Sequence, residues 1–119
     1  MSSSLLDYFI LSILLIILDS PWLFVSSTFA GNMVEKIQGS PLQLNLWPST
    51  IVYLAMAYLL TRTKTPSDAF LLGLCVYAVY DFTNLATLSR YSPYFAIADS
   101  LWGGILFAST RYILNRFFI

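Results

Sequence analysis

One long apolar run constrains this chain more than any other feature. It begins at Leu5, reaches Phe24 and continues in weaker form to Phe29. A helix needs about 20 such residues to cross a hydrocarbon core of ~30 Å, because each adds ~1.5 Å. Three further stretches share the character, at about 46–60, 68–88 and 93–114. The second is short and draws on Trp47 and its flank. A soluble core has no use for a composition that is 58% hydrophobic and only 10% charged, against about a quarter charged in ordinary soluble domains. The expectation is an all-α fold, an integral membrane bundle of four transmembrane helices. It forms a single domain over residues 1–119, with spans at about 5–28, 46–60, 68–88 and 93–114, and the lipid bilayer as its partner. Six acids balance six bases and there is no histidine. A basic footprint for nucleic acid is missing.

Local signals set the boundaries. Asn45 precedes Trp47-Pro48, and proline is tolerated in a first turn. Pro66, Ser67 and Asp68 mark the start of the third helix, with Ser67 as N-cap. Ser92-Pro93 does the same for the fourth. Pro21 is expected to kink or break the first helix near Asp19. In the connection over 30–45, apolar Met33, Val34 and Ile37 alternate with Glu35, Lys36 and Gln38 before Gly39 and Pro41. This predicts a short interfacial helix. Leu5–Leu18 resembles the apolar part of a secretory leader, and Thr28-Phe29-Ala30 a cleavage site, but the opening segment "MSSSLLD" contains Asp7 and no Lys or Arg, so the run reads as a span. Cys75 reads as a small buried hydrophobe. Arg62, Lys64, Arg111 and Arg116 fall on one side of the spans, and Lys36 and Arg90 on the other. The bias puts both termini in the cytoplasm.

The same arithmetic gives depths. Asp19 lies about 21 Å from the inner side along the first helix, and Asp81 about 20 Å along the third. Asp99, on a helix running the other way, lies about 9 Å from the outer side, which is again about 21 Å from the inner one. Three carboxyls thus fall at one level. Asn84 is i+3 from Asp81 and faces the same way. Thr83, Thr87 and Tyr80 lie nearby, and Ser49, Thr50 and Tyr53 enter from the second helix. Two words repeat, "DSPW" at Asp19–Trp22 and "DSLW" at Asp99–Trp102. In each, the tryptophan is i+3 from its aspartate, where the indole N–H is placed to bond or hold the carboxyl. The words sit on antiparallel helices, so they read as two solutions to one local need, not as a duplicated half. Arg90 and Lys36 are the cations placed to visit the acids. On the fourth helix Ala96, Ser100, Gly104 and Ala108 recur every four residues beside Gly103, a small-residue stripe that lets another helix or a second copy approach closely.

The run "YDFTNLATL", Tyr80–Leu88, followed by "DSLWG", Asp99–Gly103, resembles the domain-of-unknown-function 2177 family, small four-helix membrane proteins of bacteria and of large DNA viruses. The resemblance extends to the aspartate-x-x-tryptophan word of the first helix, matched by Asp19 and Trp22. The chain departs from the family at Pro21, in the short second helix and over 30–45. The resemblance implies the four-helix architecture and carries no activity with it.

Three functions compete. In the first, the protein is a small transporter or channel, a proton- or cation-handling bundle open to homo-oligomerisation. Asp19, Asp81 and Asp99 bind the ion and Asn84 orients a carboxyl, since ionisable groups inside a membrane default to such roles. In the second, the protein is a structural or accessory membrane component, and the acids are packing devices bonded across helices. The third, an enzyme, is the least supported: without histidine or a cysteine pair, zinc and triad chemistry have no ligands. No cofactor or metal is expected. The geometry that separates the first two is simple. Carboxyls around a wet cavity favour transport, and carboxyls bonded separately in a dry interface favour structure.

Overall fold

The computed structural model describes residues 4–118. The first three residues, which precede the leader-like run, lie outside the described part. Four helices account for nearly all of the chain, in the order α1 (Leu5–Gln38), α2 (Leu46–Thr61), α3 (Pro66–Thr87) and α4 (Pro93–Phe117). The all-α expectation therefore holds. Two of them, α1 and α3, are long and apolar enough to cross a membrane; α2 is a shorter apolar helix.

Each start carries its own sequence signal. Ser4 accepts from the Asp7 N–H, and the Asp7 carboxylate accepts from the Ser4 N–H, a reciprocal box at the head of α1. Asn45 precedes α2 without a side-chain cap bond. The cap of α3 is Thr65, not Ser67: its hydroxyl accepts from the Asp68 N–H at 3.2 Å. Pro66 takes the first helical position, where its missing N–H costs nothing, and this moves the cap one residue ahead of it. Ser92 caps α4 by accepting from Phe95, with Pro93 next in line.

The first helix corrects the sequence reading most. It runs unbroken through Pro21 for 34 residues, and the interfacial helix expected over 32–39 is its continuation to Gln38, with Gly39 as its cap. Proline at 21 leaves the Ile17 carbonyl without its usual N–H donor. The Ser20 hydroxyl donates to that carbonyl at 2.7 Å, so the acceptor orphaned by Pro21 is satisfied one residue away. Farther on, Met33 is buried and Ile37 half-buried against Tyr91, Ala96, Leu85 and Phe95. That burial stabilises the last turns. Gly39 then ends the helix in the left-handed conformation, φ 78°, with its N–H donating to the Glu35 carbonyl.

Packing is closest between α3 and α4, while α1 lies against α2 and α4. A Cβ on Gly73 would collide with the Gly103 carbonyl, and one on Gly103 would come within 2.7 Å of the Gly73 carbonyl. The two backbones therefore touch. Gly104 serves the Phe70 ring, which a Cβ there would meet at 2.7 Å. The stripe Ala96, Ser100, Gly103 and Gly104 is buried inside the chain, with Ala108 half-buried. Within the chain α3 covers its glycines, Gly103 through Gly73 and Tyr77 and Gly104 through Phe70. The main core gathers Leu11, Leu15, Met56, Ala57, Leu60, Ala69, Leu106, Phe107 and Leu114. Outward faces are apolar too, as at Phe24, Val25, Leu71 and Val79. Cys75 is on this exposed surface, not in the core as expected; it lies on an outer face of α3, where an apolar residue needs no burial if lipid is the solvent.

At the other end, Arg111 of α4 is buried, and its Nη1 donates to the Thr63 carbonyl at 2.6 Å just beyond α2. A cation there complements the negative end of that helix. One turn on, Asn115 Nδ2 donates to the Lys64 carbonyl at 2.9 Å. Together they fasten the link between α2 and α3 to α4.

Candidate functional site: a buried carboxyl layer

The three aspartates are buried, at 3% exposure for Asp19, 0% for Asp81 and 8% for Asp99. Neutral donors hold them. Each indole reaches across to the other word: Trp102 Nε1 donates to Asp19 Oδ1 at 2.6 Å, and Trp22 Nε1 donates to Asp99 Oδ1 at 2.8 Å. Spacing alone suggests instead that a tryptophan serves the aspartate of its own word. The antiparallel arrangement explains the exchange. An i+3 step moves about 4.5 Å up one helix and the same distance down the other, so Asp19 faces Trp102 and Trp22 faces Asp99. Words that share D-S-x-W on antiparallel helices are complementary to each other, as in a two-fold interface. The two indoles also stack, with ring centroids 6.0 Å apart. Phe95 extends the stack from Trp22, and Phe29 from Phe95, at 6.4 and 5.9 Å.

The second oxygen of Asp19 accepts from the Tyr53 hydroxyl. Asp19 thus joins α1 to both α2 and α4. Asp81 Oδ1 accepts from Tyr91, in the link between α3 and α4, at 2.7 Å. Burial, first, and that bond, second, push the Tyr91 phenol above the usual tyrosine range, so it remains a donor at neutral pH. The carboxyl of Asp99 lies near Asp81, and the Ser100 hydroxyl donates to the Ala96 carbonyl. Asp81 Oδ2 is buried without a donor. The Tyr77 ring packs on Gly103, and its phenol lies near all three acids.

Other residues singled out from sequence are placed elsewhere. Thr83 and Thr87 are exposed, and the Thr87 hydroxyl donates to the Thr83 carbonyl. Tyr80 is 61% exposed. Asn84 is half-buried beside the phenols of Tyr80 and Tyr91. Ser49 and Thr50 back-bond to the Asn45 and Leu46 carbonyls instead of joining the layer. Lys36 lines a cleft with Asn32 and Glu35, and Arg90 is an exposed residue at positive φ, 69°. Sequence reasoning misses Tyr91, Tyr77, Gly73 and the role of Arg111. Tyr91 has no periodic signal, because it lies in a link. For Gly73, a lone glycine in an apolar run is the only hint.

Chemically, the layer is a set of acceptors served by indole and phenol donors, with Asp81 Oδ2 left over. A second cleft, lined by Ile10, Leu11, Ile13, Leu14, Ile17, Leu114 and Phe118, is apolar, and neither cleft reaches the carboxyls. Among the described residues, no group of three or more His, Cys, Asp or Glu side chains is placed to hold a metal ion.

No curated protein and no solved structure matches the chain. A family model does, described as "Predicted membrane protein (DUF2177)", over residues 4–113. That span holds α1, α2, α3 and α4 up to its last turn, both D-S-x-W words and every residue of the carboxyl layer. The chain belongs to the DUF2177 family of predicted membrane proteins.

Proposed function

We propose that this protein is a four-span integral membrane protein with a structural or accessory role, in which buried aspartates join helices instead of moving ions. The crosswise pair Trp22–Asp99 and Trp102–Asp19 carries the reading. Indole and phenol donors directed at the carboxyls make a hydrogen-bonded interface between helices. Dimensions support the membrane placement: the long axis is 46 Å, close to the ~40–45 Å of a bilayer with its headgroups. α4 has a lower average apolarity because Asp99, Ser100, Thr110 and Arg111 face inward, and polar side chains in a span are tolerated there. α2, at about 24 Å, is short for the core. An even number of spans puts both termini on one side, and Arg62, Lys64, Arg111 and Arg116 assign that side to the cytoplasm. In this reading the protein is not an enzyme and its partners are lipids and other membrane proteins. An oligomer would form through faces other than the α4 stripe.

Proton handling is the second reading, and one observation favours it. Asp81 Oδ2 is buried without a donor, beside a second carboxyl, and a proton placed between them would satisfy both oxygens. Reconstitution separates the two. The structural reading expects proton and alkali-cation flux in proteoliposomes to match empty vesicles. Flux above that level which falls on Asp81→Asn would replace it with proton or cation transport.

A further inference from the structure

The register of α3 on α4 sets two carboxyls against each other. Gly73 lies against Phe107, and the Tyr77 ring packs on Gly103. The second contact is four residues farther along α3 and four residues back along α4. One more step of the same size brings Asp81 opposite Asp99, because i and i+4 share a helix face. Asp99 acts on Asp81 electrostatically, as that placement requires.

Asp81 is fully buried, at 0% exposure. Its Oδ1 accepts from Tyr91, and its Oδ2 has no donor. Asp99 uses Oδ1 on Trp22. The titratable groups around the pair are Tyr91 from the link, Tyr77 and Tyr80 from α3, Asp19 from α1 and, behind Asp19, Tyr53 from α2. None of them brings a positive charge. Two neighbouring carboxylates repel, most strongly where water is excluded. One proton cancels one of the charges and gives the vacant oxygen a hydrogen bond.

We propose that Asp81 and Asp99 bind one proton between them in the folded protein at neutral pH. The proton is covalent to one carboxyl and donated to the other, so the pair carries a single negative charge. It ties α3 to α4 beside the Gly73–Gly103 contact, as a fixed donor within a helix joint. The inference rests on the reading of the acids as joints.

Infrared spectroscopy of the full chain in neutral detergent tests this. The carbonyl stretch of a protonated carboxyl is separate from the carboxylate bands and moves in heavy water. Wild type, Asp81→Asn, Asp99→Asn and Asp19→Asn are compared at neutral pH, with circular dichroism melts to check that each is folded. The expected result is a protonated carboxyl in wild type that is lost in Asp81→Asn and in Asp99→Asn. An amide at either position supplies the donor and leaves the other carboxyl ionised. The band should persist in Asp19→Asn, since both oxygens of Asp19 already have donors. A wild type without the band would overturn the proposal. So would a band that survives in either Asp81→Asn or Asp99→Asn, which would put the proton on one carboxyl alone, or one lost only in Asp19→Asn. Proton flux in proteoliposomes tests the joint reading separately: a band with flux keeps the site and discards the joint, and no band without flux does the reverse.

Discussion

Trp102 of α4 donates its indole N–H to Asp19 of α1 at 2.6 Å, and the partner contact, Trp22 to Asp99, runs the opposite way at 2.8 Å. Each word supplies one donor and one acceptor to the other. The arrangement fixes the register of α1 on α4, because sliding either helix by one residue breaks both bonds at once.

Removing one indole donor tests that directly. Trp102→Phe keeps an aromatic ring but leaves Asp19 Oδ1 without its N–H. A buried acceptor stripped of its partner costs about 1–3 kcal/mol, at the lower end inside a bilayer. Thermal unfolding in detergent should show a lowered midpoint for Trp102→Phe and for Trp22→Phe, and little change for Trp47→Phe, since Trp47 is 72% exposed.

Donor counting separates two aspartates that look alike in sequence. Asp19 receives donors on both oxygens, from Trp102 and from Tyr53. Asn at 19 would turn an N–H₂ group toward one of those donors, so Asp19→Asn should destabilise by about 1–3 kcal/mol. Asp99 receives one indole bond and otherwise faces Asp81, whose Oδ2 has no donor. An amide at 99 can supply it. Asp99→Asn should therefore leave the unfolding midpoint unchanged or raise it, and a loss equal to that of Asp19→Asn would contradict the donor count.

Glycines divide in the same way. Gly73 and Gly103 face each other's backbone, and a Cβ at either collides with it. Gly73→Ala and Gly103→Ala should force α3 and α4 apart and lower the midpoint by several degrees. A Cβ on Gly31 would meet nothing within 4 Å, so Gly31→Ala should stabilise α1 by about 0.5–1 kcal/mol. Circular dichroism melts compare the three.

Alkaline pH tests the bond of Tyr91. Its phenol is held protonated in the folded protein beyond the point where it ionises in an unfolded chain. The resulting stabilisation is fully present below about pH 10 and is lost as pH rises through the higher folded value. Stability should decline above about pH 10 in wild type, and this component of the decline should be missing from Tyr91→Phe, which is already weakened by loss of the bond to Asp81. Matching pH profiles in the two proteins would contradict it.

Much of this is legible in the sequence where one number governs it. A rise of about 1.5 Å per residue places three carboxyls at one depth, and Tyr53 follows from height on α2. The cap at Ser92 and the stop at Gly39 follow from residue type. What stays hidden depends on neighbours. Whether Trp22 serves Asp19 or Asp99 is decided by which helix lies against α1, and no spacing within one helix contains that. Pro21 reads as a break because nothing in the residue order reveals that the Ser20 hydroxyl takes the rotamer that satisfies Ile17. Cys75 reads as buried because apolar character marks the core in water, whereas on a lipid-facing helix it marks either side. Arg111 reads as an edge charge until the Thr63 carbonyl draws it inward.

The crosswise lock has a direct spectroscopic signature. Indole N–H resonances of Trp22, Trp47 and Trp102 are separable by assignment in ¹⁵N-labelled protein, and each reports its own acceptor. The lock predicts that Asp19→Asn shifts the Trp102 resonance and Asp99→Asn shifts that of Trp22, with Trp47 unmoved in both. Shifts of the tryptophan within each mutated word, Trp22 on Asp19→Asn and Trp102 on Asp99→Asn, would contradict it.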